Sequence, residues 1–292
     1  MSGLLDWPFV ILQRVLPKHL LTALVFRIAA IRTKSIKNFL ITRFVSLYKV
    51  DVGEAALPVP DGYQTFNDFF TRQLADDARP VDEPGDSIVS PVDGTVSAAG
   101  GIDSDMILQA KGLKYSLADL LMTDMEDAKR YSNGSFATLY LAPCNYHRVH
   151  CPLNATLVAA RYVPGALYSV NAATVSLLPN LFTRNERLIC HFDSDAGPMI
   201  LVFVGALHVG SITTPWTGQI RPQRKGVVQD LDILKCGQAT RVMKGELLGW
   251  FNMGSTVIVL FPPGACEISS DLRPGETVRM GQSIGHTTLD QQ

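Results

Sequence analysis

The stretch WFNMGSTVIVLF, Trp250–Phe261, contains the apolar run that decides the fold. Its second half, Val257–Phe261, is unbroken in valine, isoleucine, leucine and phenylalanine, which predicts a buried strand. Its first half carries Gly254, Ser255 and Thr256, three small residues where a strand favours bulk. Glycine weakens a strand and often marks a bulge or a close backbone approach. The stretch therefore predicts a core strand that begins at a backbone irregularity, with a serine beside it.

From Ser87 onward, short β-type runs separated by Gly, Pro and Asp predict a mostly antiparallel sheet. A short helix capped by Thr65 or Asn67 is predicted before these runs at 65–74, and another helix among them at 115–122. Two glycine-containing stretches, SPVDGTVSAAG (90–100) and VMKGELLGWF (242–251), are similar to half-motifs of lipoyl- and biotinyl-type barrels. We therefore expect an α+β protein whose mostly antiparallel barrel or sandwich core has lipoyl-like hairpins and follows amphipathic N-terminal helices.

The N-terminal segment is strongly basic, although the whole chain has a net charge of −1. Residues 1–49 contain eight lysine and arginine residues and one acidic residue. Apolar residues at helical spacing predict amphipathic helices over 4–16 and 18–48, broken at Pro17. Leu20, Leu24, Ile28 and Ile31 form one stripe, and Lys34, Lys37 and Arg43 lie opposite the apolar face that continues it. Such helices either pack on their own domain or lie in a membrane interface. The charge and the large aromatic residues favour contact with an anionic phospholipid membrane.

The sequence predicts neither a secretory signal nor a membrane span. The longest apolar stretch, Leu20–Ile31, contains Arg27, whereas a span needs about 20 apolar residues. We expect a membrane-associating head at 1–50, a catalytic domain at 51–292, and no nucleic-acid partner.

The five cysteines include no CxxC pair, which favours a reducing compartment. Cys144 and Cys151 flank His147 and His150, but their spacing matches no usual zinc pattern. Buried thiols are the favoured interpretation, and no metal is expected.

Three segments hold polar groups suited to proton transfer and nucleophilic attack. They contain Asp93 in an Asp-Gly turn, His147 and His150 within YHRVHCP, and Ser255 after Gly254. An aspartate can orient an imidazole, which takes a proton from an attacking serine. Asp-Gly is also a common hairpin dipeptide, and a single histidine is usually structural. Because Ser255 lacks the G-x-S-x-G elbow, residue chemistry alone leaves a hydrolase and a rarer activity both open.

The segment FNMGSTVIVLF resembles the G-S-T segment of the phosphatidylserine decarboxylase family. Eight further stretches resemble blocks of the same family in the same order: YQTFNDFFTRQL, SPVDGTV, LQAKGLKYSL, YHRVHCP, YVPGALYSVN, NLFTRNERLIC, VGALHVGSI and KGELLGWFNMGST. G-S-T alone would be a weak signal, whereas nine collinear blocks covering nearly the whole chain are specific.

The resemblance implies that the chain cuts itself between Gly254 and Ser255 into 1–254 and 255–292, which stay associated. Asp93, His150 and Ser255 match the family's self-processing triad, and His147 matches the histidine of the decarboxylation step. Ser255 would become a covalent pyruvoyl cofactor that forms a Schiff base with phosphatidylserine and yields phosphatidylethanolamine.

The resemblance also implies a peripheral protein on the cytoplasmic face of a bacterial cell membrane, with a homodimer as one assembly. Departures from the family pattern occur at Met253 and at Ala142, Cys144 and Asn145, where S-P-R-D residues are typical. They bring into question any substrate contact made by the missing arginine. Two alternatives are a serine hydrolase using the Asp-His-Ser triad on a lipid ester and a carrier domain modified at Lys244.

Overall fold

The computed structural model describes residues 6–123, 125–224 and 226–288. The first two residues of the predicted helix 4–16 and the last four of the segment 255–292 lie outside these ranges. The helices are α1 (Asp6–Val15), α2 (Lys18–Ala29), α3 (Lys34–Tyr48), α4 (Phe66–Phe70), α5 (Leu117–Leu121), α6 (Met125–Lys129), α7 (Ala172–Leu177) and α8 (Leu181–Arg184).

The strands are short and follow one another closely from residue 87. They are β1 (Ser87–Val89), β2 (Gly94–Gly101), β3 (Met106–Ala110), β4 (Leu113–Ser116), β5 (Ser135–Leu141), β6 (Arg148–His150), β7 (Ala155–Val163), β8 (Arg187–Ser194), β9 (Gly197–Val204), β10 (Ile212–Thr214), β11 (Gly218–Ile220), β12 (Gln229–Leu231), β13 (Arg241–Val242), β14 (Leu247–Phe251), β15 (Ser255–Phe261), β16 (Cys266–Ile268), β17 (Thr277–Val278) and β18 (Ser283–Thr287).

The predicted core strand is β15, and all seven of its residues are buried. It lies inside a nine-stranded sheet of order β12-β7-β8-β9-β15-β5-β2-β17, in which β13 also pairs with β7. Its antiparallel partners are β5, from Ser255 opposite Leu141, and β9, from Thr256 opposite Val204. Burial on both faces explains why β15 has a continuous apolar run instead of the alternation of a half-exposed strand.

Three smaller sheets complete the α+β fold that the sequence predicts: β1-β18-β16, β11-β10-β14-β6 and β3-β4. All the pairings between the described strands are antiparallel, and none of the sheets that these strands form closes into a barrel. The strands of the two lipoyl-like stretches pair with other parts of the chain. β2 pairs with β5 and β17, and β14 pairs with β6 and β10.

The helical head differs from its prediction in two respects. The region 18–48 is two helices, because the chain leaves the helical conformation between Ala29 and Lys34. Lys37, expected on the polar outer face of α3, is buried and donates hydrogen bonds to the Pro60 carbonyl, 3.0 Å, and to Asn38 Oδ1, 2.7 Å. Lys37 thus holds α3 to the link that follows the head.

The head shares a small apolar core with α4. Phe66, Phe69 and Phe70 of α4 pack around Phe44 of α3, and the Phe44 and Phe66 ring centroids are 5.1 Å apart. Thr65 caps α4 as predicted, since its Oγ1 accepts the Asp68 N–H at 3.0 Å. The head is therefore anchored to the helix that covers the start of β15.

Much of the apolar surface of the head remains exposed. Leu20, Leu24 and Ile28, the predicted stripe of α2, are all exposed, as are Phe39 and Leu47 of α3. Within the described residues, no single helix has both the length and the apolar character to cross a bilayer. The pair Trp7–Val15 and Lys18–Ala29, bent by 90°, meets that criterion by length and composition alone.

Replacing Ile258 with alanine is expected to lower the free energy of unfolding by about 2–5 kcal/mol, because the cavity left in a fully buried strand cannot close. Urea titration measures the change. Val158→Ala, on a side chain that is 56% exposed, is the control and is expected to change stability by less than about 0.5 kcal/mol. Equal losses in both variants would contradict the central place of β15.

Candidate active site

The turn between β14 and β15 has an unusual backbone. Met253 has φ +87° and Gly254 has φ +38°, so two consecutive residues adopt the left-handed region directly before Ser255. Glycine adopts such angles without penalty, whereas methionine does so at a cost of order 1–3 kcal/mol. Open space surrounds the position of a Cβ at Gly254, so the dihedral angle, and not crowding, requires glycine there. The irregularity predicted at the mouth of the strand is present.

Ser255 is the first residue of β15 and is fully buried. Its Oγ has no hydrogen-bond partner in the structure, which is unusual because a buried hydroxyl normally finds one. The backbone of Ser255 is fixed by pairing with Leu141 of β5. The serine is thus held rigidly with a hydroxyl that no other group engages.

His147 directly precedes β6, and its ring reaches back to the end of β5, next to Leu141, the partner of Ser255. Its ring stacks on Phe70 with the centroids 4.1 Å apart, and its Nε2 lies 3.1 Å from the carbonyl oxygen of Ala142, the residue after Leu141. This geometry places the proton on Nε2, which donates to that carbonyl, and leaves Nδ1 with a lone pair and no partner. Burial, assisted by the charge of Arg72, lowers the pKa of His147 to about 3. His147 is therefore a neutral imidazole with a free basic nitrogen.

His150 lies on β6 and has both ring nitrogens engaged. Its Nδ1 donates to the Gly245 carbonyl at 2.8 Å, and its Nε2 accepts the Tyr146 hydroxyl at 3.0 Å. Burial raises the pKa of Tyr146 to about 12, which keeps that hydroxyl a donor. Burial also lowers the pKa of His150. In this conformation His150 is neutral and hydrogen-bonded to neither Asp93 nor Ser255.

Asp93 is buried and paired with Arg79. The Arg79 guanidinium donates to both carboxylate oxygens, at 2.8 and 2.6 Å, and the Met280 N–H donates to Oδ1 at 2.9 Å. Arg79 also binds Glu54 at 2.7 Å, and the two carboxylates raise the pKa of Arg79 above its ordinary value. Asp93 contributes to the electrostatic environment of His150, whose pKa it raises slightly against the dominant effect of burial. The predicted triad residues therefore come from neighbouring segments, but their side chains are hydrogen-bonded to other groups.

Sequence reasoning missed Arg72, Arg79, Phe70 and Tyr146. Tyr146 adjoins His147 in the quoted YHRVHCP block, and Phe70 and Arg72 lie in the quoted YQTFNDFFTRQL block, so each was within reach. Arg79 lies in an irregular segment, and no local pattern marks it.

Three cavities surround this region. The arginine cavity, about 660 Å³, is lined by Arg72, Arg148, Trp250 and Asn252 among others. The histidine cavity, about 330 Å³, adjoins it through Arg148 and contains His150, Tyr146 and Arg79. The apolar groove, about 390 Å³, lies between α2 and α3 and is lined by Val25, Ile28, Leu40, Phe44, Leu47 and Met253 among others.

The described ranges contain no group of three or more His, Cys, Asp or Glu residues that could hold a metal ion. Cys144 is half-buried and Cys151 is buried, and neither forms a disulfide.

Known proteins match nearly the whole chain. The family described as phosphatidylserine decarboxylase matches residues 66–286, and a model described as PSD matches residues 8–49. The chain is 46% identical over 287 residues to a phosphatidylserine decarboxylase proenzyme of Alcanivorax borkumensis, covering 98% of both chains. It is 45% identical over 277 residues to the proenzyme of that name from Methylococcus capsulatus, covering 95% of this chain and 96% of the relative. The chain belongs to the phosphatidylserine decarboxylase family, a family of decarboxylases.

The low pKa of His147 predicts that the folded state loses stability in acid. In the unfolded chain this histidine, with a pKa near 6.5, binds a proton below that pH. In the folded chain His147 does not bind a proton until the pH approaches about 3. The stabilisation from keeping His147 neutral is therefore complete above pH 6.5 and is lost as the pH falls toward 3, at up to about 1.4 kcal/mol per pH unit.

His147→Phe keeps an aromatic ring on Phe70 but cannot titrate. Urea unfolding of the wild type and of this variant at pH 7, 5 and 4 should show the wild type losing more stability on acidification. Parallel losses in the two proteins would contradict the assignment of His147 as a buried neutral base.

Proposed function

We propose that this chain decarboxylates phosphatidylserine to phosphatidylethanolamine, using a pyruvoyl group made from Ser255 when the chain cuts itself after Gly254. One observation carries the substrate class. Asn252 lines the polar arginine cavity, and Met253, the next residue, lines the apolar groove. A molecule bound at this turn meets cationic and polar groups on one side and hydrocarbon side chains on the other. A phospholipid has that division within a single molecule.

The relatives are named proenzymes, which implies self-cleavage, and the residues at the turn fit that reaction. In the proposed reaction, Ser255 Oγ attacks the Gly254 carbonyl carbon, the peptide C–N bond breaks, and an ester forms. Elimination then releases the Gly254 carboxylate and leaves dehydroalanine, which water converts into the pyruvoyl group and ammonia. The unpartnered Oγ and the left-handed backbone before it support the first step, since neither a competing hydrogen bond nor a relaxed turn has to be given up.

A base must take the Ser255 proton. We assign this role to His150, oriented by Asp93, and the decarboxylation role to His147. For His150 to act, its Nε2 must exchange the Tyr146 hydroxyl for that of Ser255, a change of partner at one nitrogen. His147 needs no such exchange, because its Nδ1 already has a free lone pair. The lone pair is therefore available to accept a proton during the reaction, which His147 would then return to the substrate carbon.

The pyruvoyl carbonyl would supply the electron sink that decarboxylation of an amino acid headgroup requires. The chain's own residues keep water away from it. Phe70 covers His147, and Ser255 is fully buried. The segment 255–292 would remain attached as a small chain because β15 pairs along its length with β5 and along most of it with β9.

The helical head supports peripheral attachment to an anionic phospholipid membrane. Exposed apolar residues cover α1, α2 and α3, and lysine and arginine residues of the same helices can contact lipid phosphates. Attachment through the head would place the apolar groove, which α2 and α3 form, beside the bilayer. We extend the proposal to the cytoplasmic face of a bacterial membrane and to a homodimer, both of which rest on the resemblance alone.

The intact mass of the purified protein tests the self-cleavage. We expect two chains, with the 38-residue segment 255–292 carrying an N-terminal ketone. Ser255→Ala is expected to give a single chain that is inactive on phosphatidylserine, because the attacking hydroxyl is gone. Ser176→Ala, at a half-buried serine of α7, is the control and should cut normally. A single uncut wild-type chain that cleaves lipid esters would instead support a serine hydrolase.

Membrane attachment is tested by replacing Leu20 with serine and measuring sedimentation with vesicles of anionic phospholipid. Loss of one inserted leucine is expected to weaken binding about 10- to 100-fold. Leu234→Ser is the matched control, since Leu20 is 69% exposed and Leu234, which lies outside the head, is 70% exposed. Equal effects of the two substitutions would show that the head is not the attachment surface.

A further inference from the structure

Arg72 is a buried cation without an anion. Arg72 lies two residues beyond the end of α4. Its side chain is 4% exposed and lines the arginine cavity. Among the described residues, Nη2 alone has an acceptor, the Cys144 carbonyl at 3.3 Å, whereas Nε and Nη1 have none. Burial is the main cause that lowers the pKa of Arg72, which shows that its charge is held in an unfavourable environment. A buried guanidinium usually has its donors satisfied, so this one calls for a partner.

Arg187, a second buried arginine, shows how the guanidinium of a structural arginine is satisfied in this protein. Arg187 is also almost fully buried, and its guanidinium donates to the carbonyl oxygens of Leu120, Asp119, Thr183 and Asn185 at 2.6–3.0 Å. The backbone around Arg187 is arranged to satisfy it. The backbone around Arg72 is not, and the difference indicates that a ligand supplies the missing acceptors.

The nearby carboxylates do not fill this place. Asp93 and Glu54 act on Arg72 only at long range, and both are already bound by Arg79. Asp68 lies on the cavity wall, but it is exposed. Within the described part of the chain, no carboxylate forms an ion pair with Arg72 or with Arg148.

Arg148 provides a second guanidinium on the same cavity wall. Its Nε donates to the Thr71 carbonyl at 2.9 Å, and its guanidinium lies over the Trp250 ring, 5.6 Å from the centroid. These contacts fix the position of the guanidinium and leave the cavity side of the group available. Two guanidinium groups on one wall suit a tetrahedral anion with several oxygen acceptors.

The cavity is adjacent to the reacting residues. Arg72 is two residues from Phe70, which stacks on His147, and Asn252 on the cavity wall is three residues from Ser255. Asn67, from the same helix, donates to Asn252 Oδ1 at 2.9 Å and ties the two walls together. An anion bound at Arg72 would therefore belong to a molecule whose other end reaches the turn.

We propose that Arg72 and Arg148 form a subsite for the phosphodiester of the lipid headgroup. The inference rests on the proposed function and adds to it the group that positions the substrate. The headgroup has two anions, and their fates differ. The carboxylate leaves as CO₂, so an ion pair to it would stabilise the substrate more than the transition state. The phosphodiester keeps its charge from substrate to product, and binding it stabilises every state equally.

This assignment predicts which kinetic constant changes. Loss of uniform binding raises KM and leaves kcat nearly unaltered. Arg72→Gln is therefore expected to raise KM for phosphatidylserine in detergent micelles about 30-fold or more, with a smaller change in kcat, because the charge of Arg72 also lowers the pKa of His147. Arg72→Lys, which keeps the charge but not the planar fork, should give an intermediate KM. Arg161→Gln, on an exposed ion pair with Asp230, is the control and should match the wild type.

A soluble probe separates the two anions. Glycerophosphoethanolamine has the phosphodiester and no carboxylate, whereas free serine has the carboxylate and no phosphate. Glycerophosphoethanolamine should inhibit the wild type, and Arg72→Gln should abolish that inhibition. If the substitution abolished inhibition by serine instead, the carboxylate would be the ligand and the assignment would be overturned.

Controls on the same samples keep this inference distinct from the proposed function. Mass and urea unfolding should show that Arg72→Gln cuts itself and is folded, and Arg148→Gln gives an independent second variant. A wild type that neither cuts itself nor decarboxylates phosphatidylserine would count against the proposed function. An active, cut wild type whose KM both substitutions leave unchanged would overturn only the phosphodiester subsite.

Discussion

The pairing of β15 with β5 and β9 is the constraint on which the rest of the site depends. It fixes the backbone from Thr256 onward on both sides and fixes Ser255 on one side. The chain must then enter this strand from β14, which belongs to a different sheet. The two left-handed residues, Met253 and Gly254, make that change of direction. The cost of the left-handed conformation therefore falls on Met253, two residues before the serine.

The same turn separates two kinds of surface. The polar wall is built by α4 and β14, with arginines that reach it from the helix end and from β6. The apolar wall is built by α2 and α3, whose inner faces continue into the small aromatic core around Phe44. A helical head that served only as an anchor would not need to form part of a groove at Met253. Because the head packs on α4, the same helices that carry exposed apolar residues also form the apolar wall of the groove at the turn.

Several features of the fold were predictable from local sequence pattern. The burial of Val257–Phe261, the cap at Thr65, the irregularity at Gly254 and the antiparallel class all follow from residue type and spacing. The choice of β5 and β9 as neighbours of β15 does not, because those strands are distant in sequence and many pairings would bury the same side chains. The interruption at 30–33 has neither proline nor glycine, and Lys37 is buried through a carbonyl supplied by the link. Of the site, the sequence indicates which residues have suitable chemistry, but not that His150 is hydrogen-bonded to Tyr146 and Asp93 to Arg79. These partners depend on how distant segments are brought together.

Arg79 joins Glu54 to Asp93, and Asp93 also accepts the Met280 N–H, so three parts of the chain that have little else in common meet here. Glu54 lies just beyond the head, Asp93 lies in a turn of the main domain, and Met280 lies in the segment that follows β17. Arg279 adds a further contact to Glu54 at 3.3 Å. A displacement of the head would pull first on Glu54, and the shared guanidinium would pass that pull to Asp93. The position of the head and the orientation of the Asp93 carboxylate near His150 are therefore mechanically coupled through Arg79.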